Sequence, residues 1–564
     1  DALEGVAALP ADAHLTWQLL KSQLLITTGD YETSHQLAKQ VWKASQERGQ
    51  PLQAVDACLV MAEAFVEGGD FKASLAAIAH GEEALTTLTE EPSATTTQRQ
   101  ASLLHLRGKN GVYEGDFNQA LDYFQQSLTL RQELGNKYDI AVSLRHIGVC
   151  QGIKGDEEQA LELHQQALQV FQELGAKSRA AHCLTNIGVY YQMKGEWERA
   201  LEYTQQGLAL FQELGNKKMI GYAQGGIGDI SYSKGALEQA LEYFQLHLAV
   251  AEELGDKWNL AGSLGRIASV YLQWGDLDQA LVYNQKTLAL AHELDNKDKI
   301  AWSLAFNGKI HWQKDALDQA LASLKESIKY RQELGRNLPY VANLFWLIRV
   351  AIDIGSHEQA QDYLRRLQEI NEQEANKIIS QYYRTAKALV LQRSPRLRDK
   401  GQAQALFQQV AKAEGIRDEL TVIVMMNLCE LLLDELKAYG DPEVFQEAQT
   451  LVDRLYALAQ EQHSFSLAVD VLILQAKFAL IKGDLAAATQ LLEQAKLKAD
   501  EKSLKLLAKK AAAENQLMET QFETWRDLIQ RNASFEERLE QARLTDYLNR
   551  AMKFVAVEMR EPSS

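Results

Sequence analysis

Apolar residues recur along the middle of the chain with the spacing of amphipathic helices. In the stretch 159–174 they fall at three- and four-residue intervals, and a second set with the same spacing spans 144–154. This spacing places apolar side chains along one side of a helix, whereas a strand would alternate at every second residue. Gly155 separates the two patterns, and glycine is favoured just after a helix because it tolerates a left-handed backbone. The pattern therefore predicts helix pairs joined by tight turns.

The predicted helix pair repeats with a period of 40 residues. The turn glycine recurs in one column, with Asp315 in the exceptional place: Gly115, Gly155, Gly195, Gly235, Gly275 and Gly355. An alanine follows five residues later in every unit: Ala120, Ala160, Ala200, Ala240, Ala280, Ala320 and Ala360. A fixed period of this length is typical of a solenoid, in which each unit packs against its neighbours.

A second column of small residues lies inside the first helix of each unit. It contains Gly148, Gly188, Gly228, Ala268 and Gly308. Glycine within a helix costs about 0.5–1 kcal/mol relative to alanine. Repetition of that cost indicates that packing recovers it, so we expect the two helices of each pair to approach closely here.

These motifs resemble the tetratricopeptide repeat. The stretch "LTNIGVYYQMKGEWERALEYTQQGLALF" supplies the family's characteristic positions: Leu184, Ile187, Gly188, Tyr191, Ala200, Tyr203 and Leu208. The 40-residue period with "QELGNK" between units is similar to the long variant in kinesin light chains and spindle-orientation adaptors. The resemblance is strong over 104–364 and departs from the pattern at Asp315 and Ile348. The C-terminal half looks like large archaeal tetratricopeptide proteins.

The resemblance implies an all-α protein built as a right-handed α-solenoid. We expect a tetratricopeptide superhelix of about twelve antiparallel helix pairs with a C-terminal capping helix. Four segments are expected: degenerate helix pairs over 1–96, a regular array over 97–371, further degenerate pairs over 372–500, and a tail over 501–564.

The tail pattern predicts one long helix over 501–531, followed by an amphipathic helix over 534–555. Ser534 and Glu537 have the spacing of a capping box at the start of that last helix. This helix either covers the open face of the final repeat or docks on another subunit or protein.

Composition narrows the partners and the compartment. Lys plus Arg is 59 and Asp plus Glu is 76, so the net charge is 59 − 76 = −17. A surface this acidic repels phosphate backbones, so we expect no nucleic-acid partner. No apolar run reaches the 18 residues that suggest a membrane span, and no membrane partner is expected. The chain begins "DALEGVAALP", which suggests processing or trimming, and its four scattered cysteines suit the cytoplasm.

Motifs of catalysis and metal binding are missing from the sequence. No phosphate-binding G-x-x-x-x-G-K-[ST], nucleophile G-x-S-x-G or zinc-binding H-E-x-x-H pattern occurs. The histidines fall in different columns of the repeat. We therefore expect neither an enzyme nor a cofactor or metal site.

The columns that vary between repeats are the candidates for partner recognition. The resemblance implies that the first helix of each pair lines a concave groove. The variable positions predicted to line it are Arg145, Asn186, Asp229, Arg266, Ser269, Lys309, Trp312, Phe345, Trp346 and Arg349. Arginine and tryptophan often anchor interfaces, and the basic members would suit an acidic segment or a C-terminal carboxylate. The alternative is ordinary surface with a partly buried aromatic seam, since of the paired Asn and Lys of related clamps only Asn186 and Lys309 occur.

Three functions fit these observations. The first is a non-enzymatic interaction scaffold that binds a peptide or protein segment in the concave groove. The second is a structural protein that self-assembles into oligomers or filaments, with the C-terminal helix as one contact between copies. The third is the ligand-sensing half of a regulator with several components.

Overall fold

A computed structural model of the protein describes residues 11–88, 93–335, 337–412, 418–439, 441–461, 464–501, 505–544, 547–548 and 551. Within these ranges all regular secondary structure is helical, which confirms the all-α prediction. The chain divides into two compact units, Asp1–Gly226 and Ile227–Ser564. The two units are described separately below.

The first unit contains ten helices and the start of an eleventh. They are α1 Ala11–Thr28, α2 Tyr31–Glu47, α3 Pro51–Gly68, α4 Phe71–Thr86, α5 Ala94–Glu114, α6 Phe117–Leu134, α7 Lys137–Ile153, α8 Glu157–Glu173, α9 Lys177–Met193, α10 Trp197–Glu213 and α11 Lys217–Ser233.

The second unit contains the remaining helices of the described residues. They are α12 Leu237–Leu254, α13 Lys257–Gln273, α14 Leu277–Glu293, α15 Lys297–Gln313, α16 Leu317–Leu334, α17 Asn337–Ile354, α18 His357–Gln373, α19 Lys377–Gln392, α20 Leu397–Ala411, α21 Asp418–Tyr439, α22 Pro442–Glu461, α23 Phe465–Lys482, α24 Leu485–Glu501, α25 Lys505–Thr520, α26 Phe522–Gln530 and α27 Phe535–Ala542.

Within each unit, helices that follow one another in the chain pack together. From α1 to α10 in the first unit, and from α12 to α26 in the second, each helix contacts the next helix in the chain. Helices α1–α24 make twelve successive pairs, as the sequence predicts. This one-after-another packing is the arrangement of a solenoid.

The turn within a pair combines a left-handed glycine with an aspartate cap. Gly155 has φ 89°, a backbone conformation that costs side-chain-bearing residues energy. Asp156 follows it, and its carboxylate accepts a hydrogen bond from the Gln159 N–H at 3.2 Å, which caps α8. Asp315, the exception in the glycine column, adopts the same conformation with φ 58°.

The small-residue columns bring the helices of a pair into close contact, as predicted. A Cβ atom added to Gly188 would lie 2.2 Å from Thr204 Oγ1 and 3.0 Å from the Ala200 carbonyl oxygen. The alanines of the second column, of which Ala200 is one, have no exposed surface from Ala120 to Ala320. The glycine column therefore marks positions where a side chain has no room.

The C-terminal segment corrects one prediction. The single helix expected over 501–531 is wrong, because α25 ends at Thr520 and α26 begins at Phe522. No glycine or proline marks the break in the sequence. Packing accounts for it, since α26 buries Trp525 and Leu528, which are 1% and 6% exposed. Tertiary contacts here override a continuous helical pattern.

The N-cap predicted at Ser534, which begins the last helix, is confirmed. Ser534 Oγ accepts a hydrogen bond from the Glu537 N–H at 3.2 Å and begins α27. This helix ends at Arg543, which has φ 45°, so it is shorter than the predicted 534–555. The last residues of that prediction, 552–555, lie outside the described residues.

The same chain covers the apolar side of α27. This helix contacts α23, and Leu539 and Ala542 are each 2% exposed. Lys477 of α23 pairs with Glu514 at 2.7 Å and donates a hydrogen bond to the Ala542 carbonyl oxygen at 3.1 Å. The helix therefore caps its own chain, which favours the first of the two roles expected for it.

Candidate binding surface on the odd-numbered helices

Exposed apolar side chains of the first unit lie almost entirely on odd-numbered helices. Eight of the ten large apolar residues exposed in its described part belong to these helices: Leu20, Leu24, Tyr113, Tyr138, Ile153, Val189, Met193 and Tyr222. The other two, Leu174 and Leu214, are the residues that end α8 and α10. We call the six residues from Tyr113 to Tyr222 on α5, α7, α9 and α11 the odd-helix surface. Apolar side chains gathered on one side of a soluble protein are typical of an interaction site.

Charged residues on successive odd-numbered helices form ion pairs across them. Arg99 of α5 contacts Asp56 of α3 at 2.6 Å. Lys109 of α5 contacts Glu67 of α3 at 2.8 Å. In the second unit Arg266 of α13 contacts Asp229 of α11 at 2.8 Å. Basic side chains on these helices are therefore commonly neutralised by an acid on the preceding odd-numbered helix.

Arg145 of α7 departs from that arrangement. Its side chain lies within hydrogen-bond distance of one group in the described chain, His146 Nε2, at 2.6 Å from Arg145 Nη2. Its Nε is buried and has no hydrogen-bond partner. Burial, and after it the charge of Arg179, lowers the pKa of Arg145 to about 10. Burial also holds the pKa of His146 well below its ordinary value, so its neutral ring accepts the hydrogen bond that the arginine donates.

Arg179 of α9 lies close enough to Arg145 for its charge to lower the pKa of Arg145. Its Nε donates a hydrogen bond to the Tyr138 hydroxyl at 3.3 Å, and no carboxylate of the described residues lies within ion-pair distance. Tyr113 and Tyr222 also lie within electrostatic range of Arg145. Two arginines without acidic partners are thus flanked by exposed tyrosines.

The sequence prediction found Arg145 but missed its neighbours. Arg179 stands in the column of Asp139, near the start of the odd-numbered helices, and Tyr222 stands in the column of His182. Both columns vary between repeats, which was the available signal. Asn186, which the sequence did predict, is half-buried on α9.

Five of the predicted basic and aromatic groove positions lie in the interior of the second unit. They are between 0% and 8% exposed: Lys309, Trp312, Phe345, Trp346 and Arg349. The expectation that they face a groove is therefore corrected to a buried seam, which was the alternative interpretation. Of the other predicted positions in this unit, Asp229, Arg266 and Ser269 are half-exposed.

Aromatic rings accommodate the buried charges of this seam. Lys309 Nζ lies 4.3 Å from the centre of the Trp346 ring. The Arg349 guanidinium lies 4.5 Å from Trp312 and 4.6 Å from Trp346. A cation over a tryptophan face is stabilised by the ring quadrupole, most strongly away from water. In this unit the residue type therefore differs between repeats in these columns because the side chains pack in the interior.

The described residues contain no other arrangement with obvious chemistry. No group of three or more His, Cys, Asp or Glu among them is placed to hold a metal ion. The four cysteines are buried thiols, and burial raises the pKa of Cys58, Cys183 and Cys429 to about 12. No helix in the described part of the chain combines the length and apolar character needed to cross a membrane.

Comparisons with solved structures return distant helical proteins. A Rap protein complexed with Competence and Sporulation Factor aligns with a TM-score of 0.48 at 16% identity, covering 66% of this chain and 99% of that chain. The apo form of the quorum sensor NprR from B. thuringiensis aligns at 0.44 and 16% identity, covering 63% and 98%. A signal-transduction ATPase with a tetratricopeptide repeat sensor from Pyrococcus horikoshii aligns at 0.43 and 15% identity, covering 61% and 55%. These similarities are too distant to support a functional argument.

Sequence comparison identifies the repeat. No curated protein sequence matches the chain significantly. A family model described as the tetratricopeptide repeat matches residues 99–173, 139–213 and 220–293. These segments cover the helix pairs in which the glycine and alanine columns are most regular. The chain therefore contains tetratricopeptide repeats over residues 99–213 and 220–293.

Proposed function

We propose that the protein is a non-enzymatic scaffold whose odd-helix surface in the first unit binds a peptide or protein segment. The observation that carries the proposal is the placement of eight of ten exposed large apolar residues of the described first unit on odd-numbered helices. Exposed tyrosines supply large contact area at low cost in conformational entropy, and they are common in recognition surfaces.

The even-numbered helices support the same proposal by contrast. On α8 and α10 the side chains between the buried columns are mostly Glu and Gln, which interact with water and with each other. A polar surface of this kind is stable in water without a bound partner. We also propose a cytoplasmic location, because the four cysteines remain thiols in the fold.

A selected peptide tests the proposal with the whole chain as bait. Random dodecapeptides displayed on phage are selected against the immobilised protein, and the Kd of one synthetic binder is measured by fluorescence anisotropy. The test variant is Tyr113→Ser with Tyr222→Ser, which removes side chains that are 54% and 50% exposed. The matched control is Leu174→Ser with Leu214→Ser, at 50% and 45% exposure in the same unit.

We expect the tyrosine variant to weaken binding at least about tenfold, a typical effect for interface aromatics. The leucine variant should bind as the unaltered chain does. Failure to select any peptide, or equal losses in both variants, would contradict the proposed surface.

A further inference from the structure

We propose that Arg145 and Arg179 form a binding site for an oxyanion, a carboxylate or a phosphate, carried by a side chain of the bound segment. This inference rests on the proposed function, because it names the chemistry that the odd-helix surface recognises. Guanidinium groups match both oxyanions by two parallel hydrogen bonds, and each remains charged at neutral pH.

The first argument is the contrast with the other basic residues of these helices. Arg99 and Lys109 meet acidic partners at 2.6 Å and 2.8 Å. Glu67, whose pKa the charge of Arg179 helps to lower, already pairs with Lys109. Arg145 and Arg179 lie on consecutive odd-numbered helices, and neither has a carboxylate within ion-pair distance in the described chain. An external anion would give these arginines the ion pairs that Arg99 and Lys109 form with acidic side chains of the same chain.

The second argument is the partial burial of Arg145, whose Nε is enclosed although the side chain as a whole is half-buried. A charged group removed from water without a counter-charge carries a desolvation cost, which natural proteins usually offset by pairing. Among the described residues a neutral imidazole is the one hydrogen-bond partner of Arg145, and the buried Nε donor has none. Binding of an anion would supply both the missing charge and acceptors for unused N–H groups. The site is thus arranged for a ligand that the folded chain does not itself provide.

The third argument concerns the kind of molecule that carries the anion. Tyr113 of α5 and Tyr222 of α11 lie within electrostatic range of Arg145, and both are about half exposed. Lys218 of α11 donates a hydrogen bond to the hydroxyl of Tyr31 of α2 at 3.3 Å, so α2 and α11 meet within this unit. The arginines therefore lie among aromatic groups contributed by several helices. Such surroundings favour an extended chain with an acidic side chain over a small inorganic anion.

The net charge of the chain makes direct contact essential. At −17 the protein repels anions at long range, but screening limits that repulsion to about 8–10 Å at ordinary ionic strength. Recognition must then come from short-range hydrogen bonds to the two guanidinium groups. It should discriminate sharply between a charged side chain and its neutral isostere.

Peptide pools of defined composition test the site. Four pools of immobilised nonapeptides carry Glu, Gln, phosphoserine or Lys at the central position, with uncharged residues elsewhere, and capture of the full chain is measured. The test variant is Arg145→Gln with Arg179→Gln. The control is Arg199→Gln, which alters an arginine that is 62% exposed on α10 and paired with Glu196.

We expect capture by the Glu or the phosphoserine pool to exceed capture by the Gln pool at least about tenfold, and the more effective of the two identifies the oxyanion. The double variant should lose this preference, while Arg199→Gln keeps it. Equal capture by the Glu, phosphoserine and Gln pools, or a preference that survives in the double variant, would overturn the site. Absence of capture by every pool would instead count against the proposed function, which the phage selection checks separately.

A thermal melt of the unliganded proteins separates a binding role from a structural one. If the arginines serve binding, Arg145→Gln removes an uncompensated charge and leaves the melting temperature unchanged or higher. If Arg145 holds the fold together, the same change lowers the melting temperature. A lower melting temperature in Arg145→Gln would therefore contradict the inference even if capture is lost.

Discussion

Gly188, in the glycine column, and Gly226, outside it, allow the same substitution with effects of opposite sign. Gly188→Ala places a methyl group 2.2 Å from Thr204 Oγ1 and 3.0 Å from the Ala200 carbonyl oxygen. Both distances are shorter than ordinary van der Waals contact, and one of the neighbours is backbone. In Gly226→Ala the closest atom is Thr204 Cγ2 at 3.6 Å, an ordinary contact. The two glycines lie on neighbouring odd-numbered helices of one unit and have ordinary helical backbones.

The magnitudes follow from two opposing effects. Overpacking a well-filled interior costs about 1–3 kcal/mol. Replacing a helical glycine with alanine contributes about 0.5–1 kcal/mol of stability. Gly188→Ala should therefore destabilise α9 and α10 by about 1–2 kcal/mol, since both effects act there. Gly226→Ala should stabilise the fold by about 0.5–1 kcal/mol, because the higher helix propensity of alanine acts there without overpacking.

Hydrogen exchange followed by mass spectrometry is the appropriate assay, because a repeat protein opens locally and a single global free energy is poorly defined for it. A cost of 1.4 kcal/mol corresponds to about tenfold faster exchange in peptides that cover α9 and α10. Thr204→Ala combined with Gly188→Ala should recover part of the loss, because it removes the nearest clashing atom. Equal exchange in Gly188→Ala and Gly226→Ala would refute the steric explanation of the column.

Three further predictions concern other parts of the fold. Burial lowers the pKa of His164 to about 3; the unfolded side chain binds its proton near pH 6.5 and the folded one only near 3, so stability falls as the pH drops between these values, by about 2 kcal/mol from pH 6.5 to 4.5. Phe124 and Phe244 occupy the same column of the repeat as His164. In His164→Phe, the urea midpoint should therefore depend less on pH across that range than in the unaltered chain. Asp295→Gly should stabilise the fold by about 0.5–1 kcal/mol, because Asp295 has φ 47°. This gain should raise the urea midpoint, and an unchanged midpoint would argue against strain there. Glu514→Gln leaves the buried Lys477 without its 2.7 Å partner, so limited proteolysis should release α25–α27 with a local loss of about 3–5 kcal/mol; protection equal to that of the unaltered chain would show that the pair is dispensable.

The sequence predicted the repeat well because the repeat is encoded by residues that recur in fixed columns. The helix pairs, the turn at Gly155 and the close approach at Gly188 all depend on local backbone preferences and on side-chain size. Both are properties of the residue type itself. The C-terminal break at Gln521 depends instead on where Trp525 finds a partner, and no local pattern contains that information.

The candidate site was less predictable for a related reason. The variable columns that contain Arg145 and Trp346 look alike in sequence, because each is free of the repeat's packing constraints. In the first unit variation coincides with an exposed surface, whereas in the second unit it accompanies a buried aromatic seam. An exposed variable position can be distinguished from a buried one only if the helices that cover it are known. Hydrophobic periodicity along one helix does not identify those neighbouring helices.

The shared environments of Gly148 and Gly188, and of Ala160 and Ala200, bear on how such a chain changes in heredity. Duplication or loss of one 40-residue segment in this stretch joins surfaces that already fit, so copy number can drift at little cost to folding. Recombination between α7 and α9 would nevertheless separate Arg145 from Arg179. Selection for anion recognition would therefore hold this one junction constant while neighbouring segments multiply or disappear.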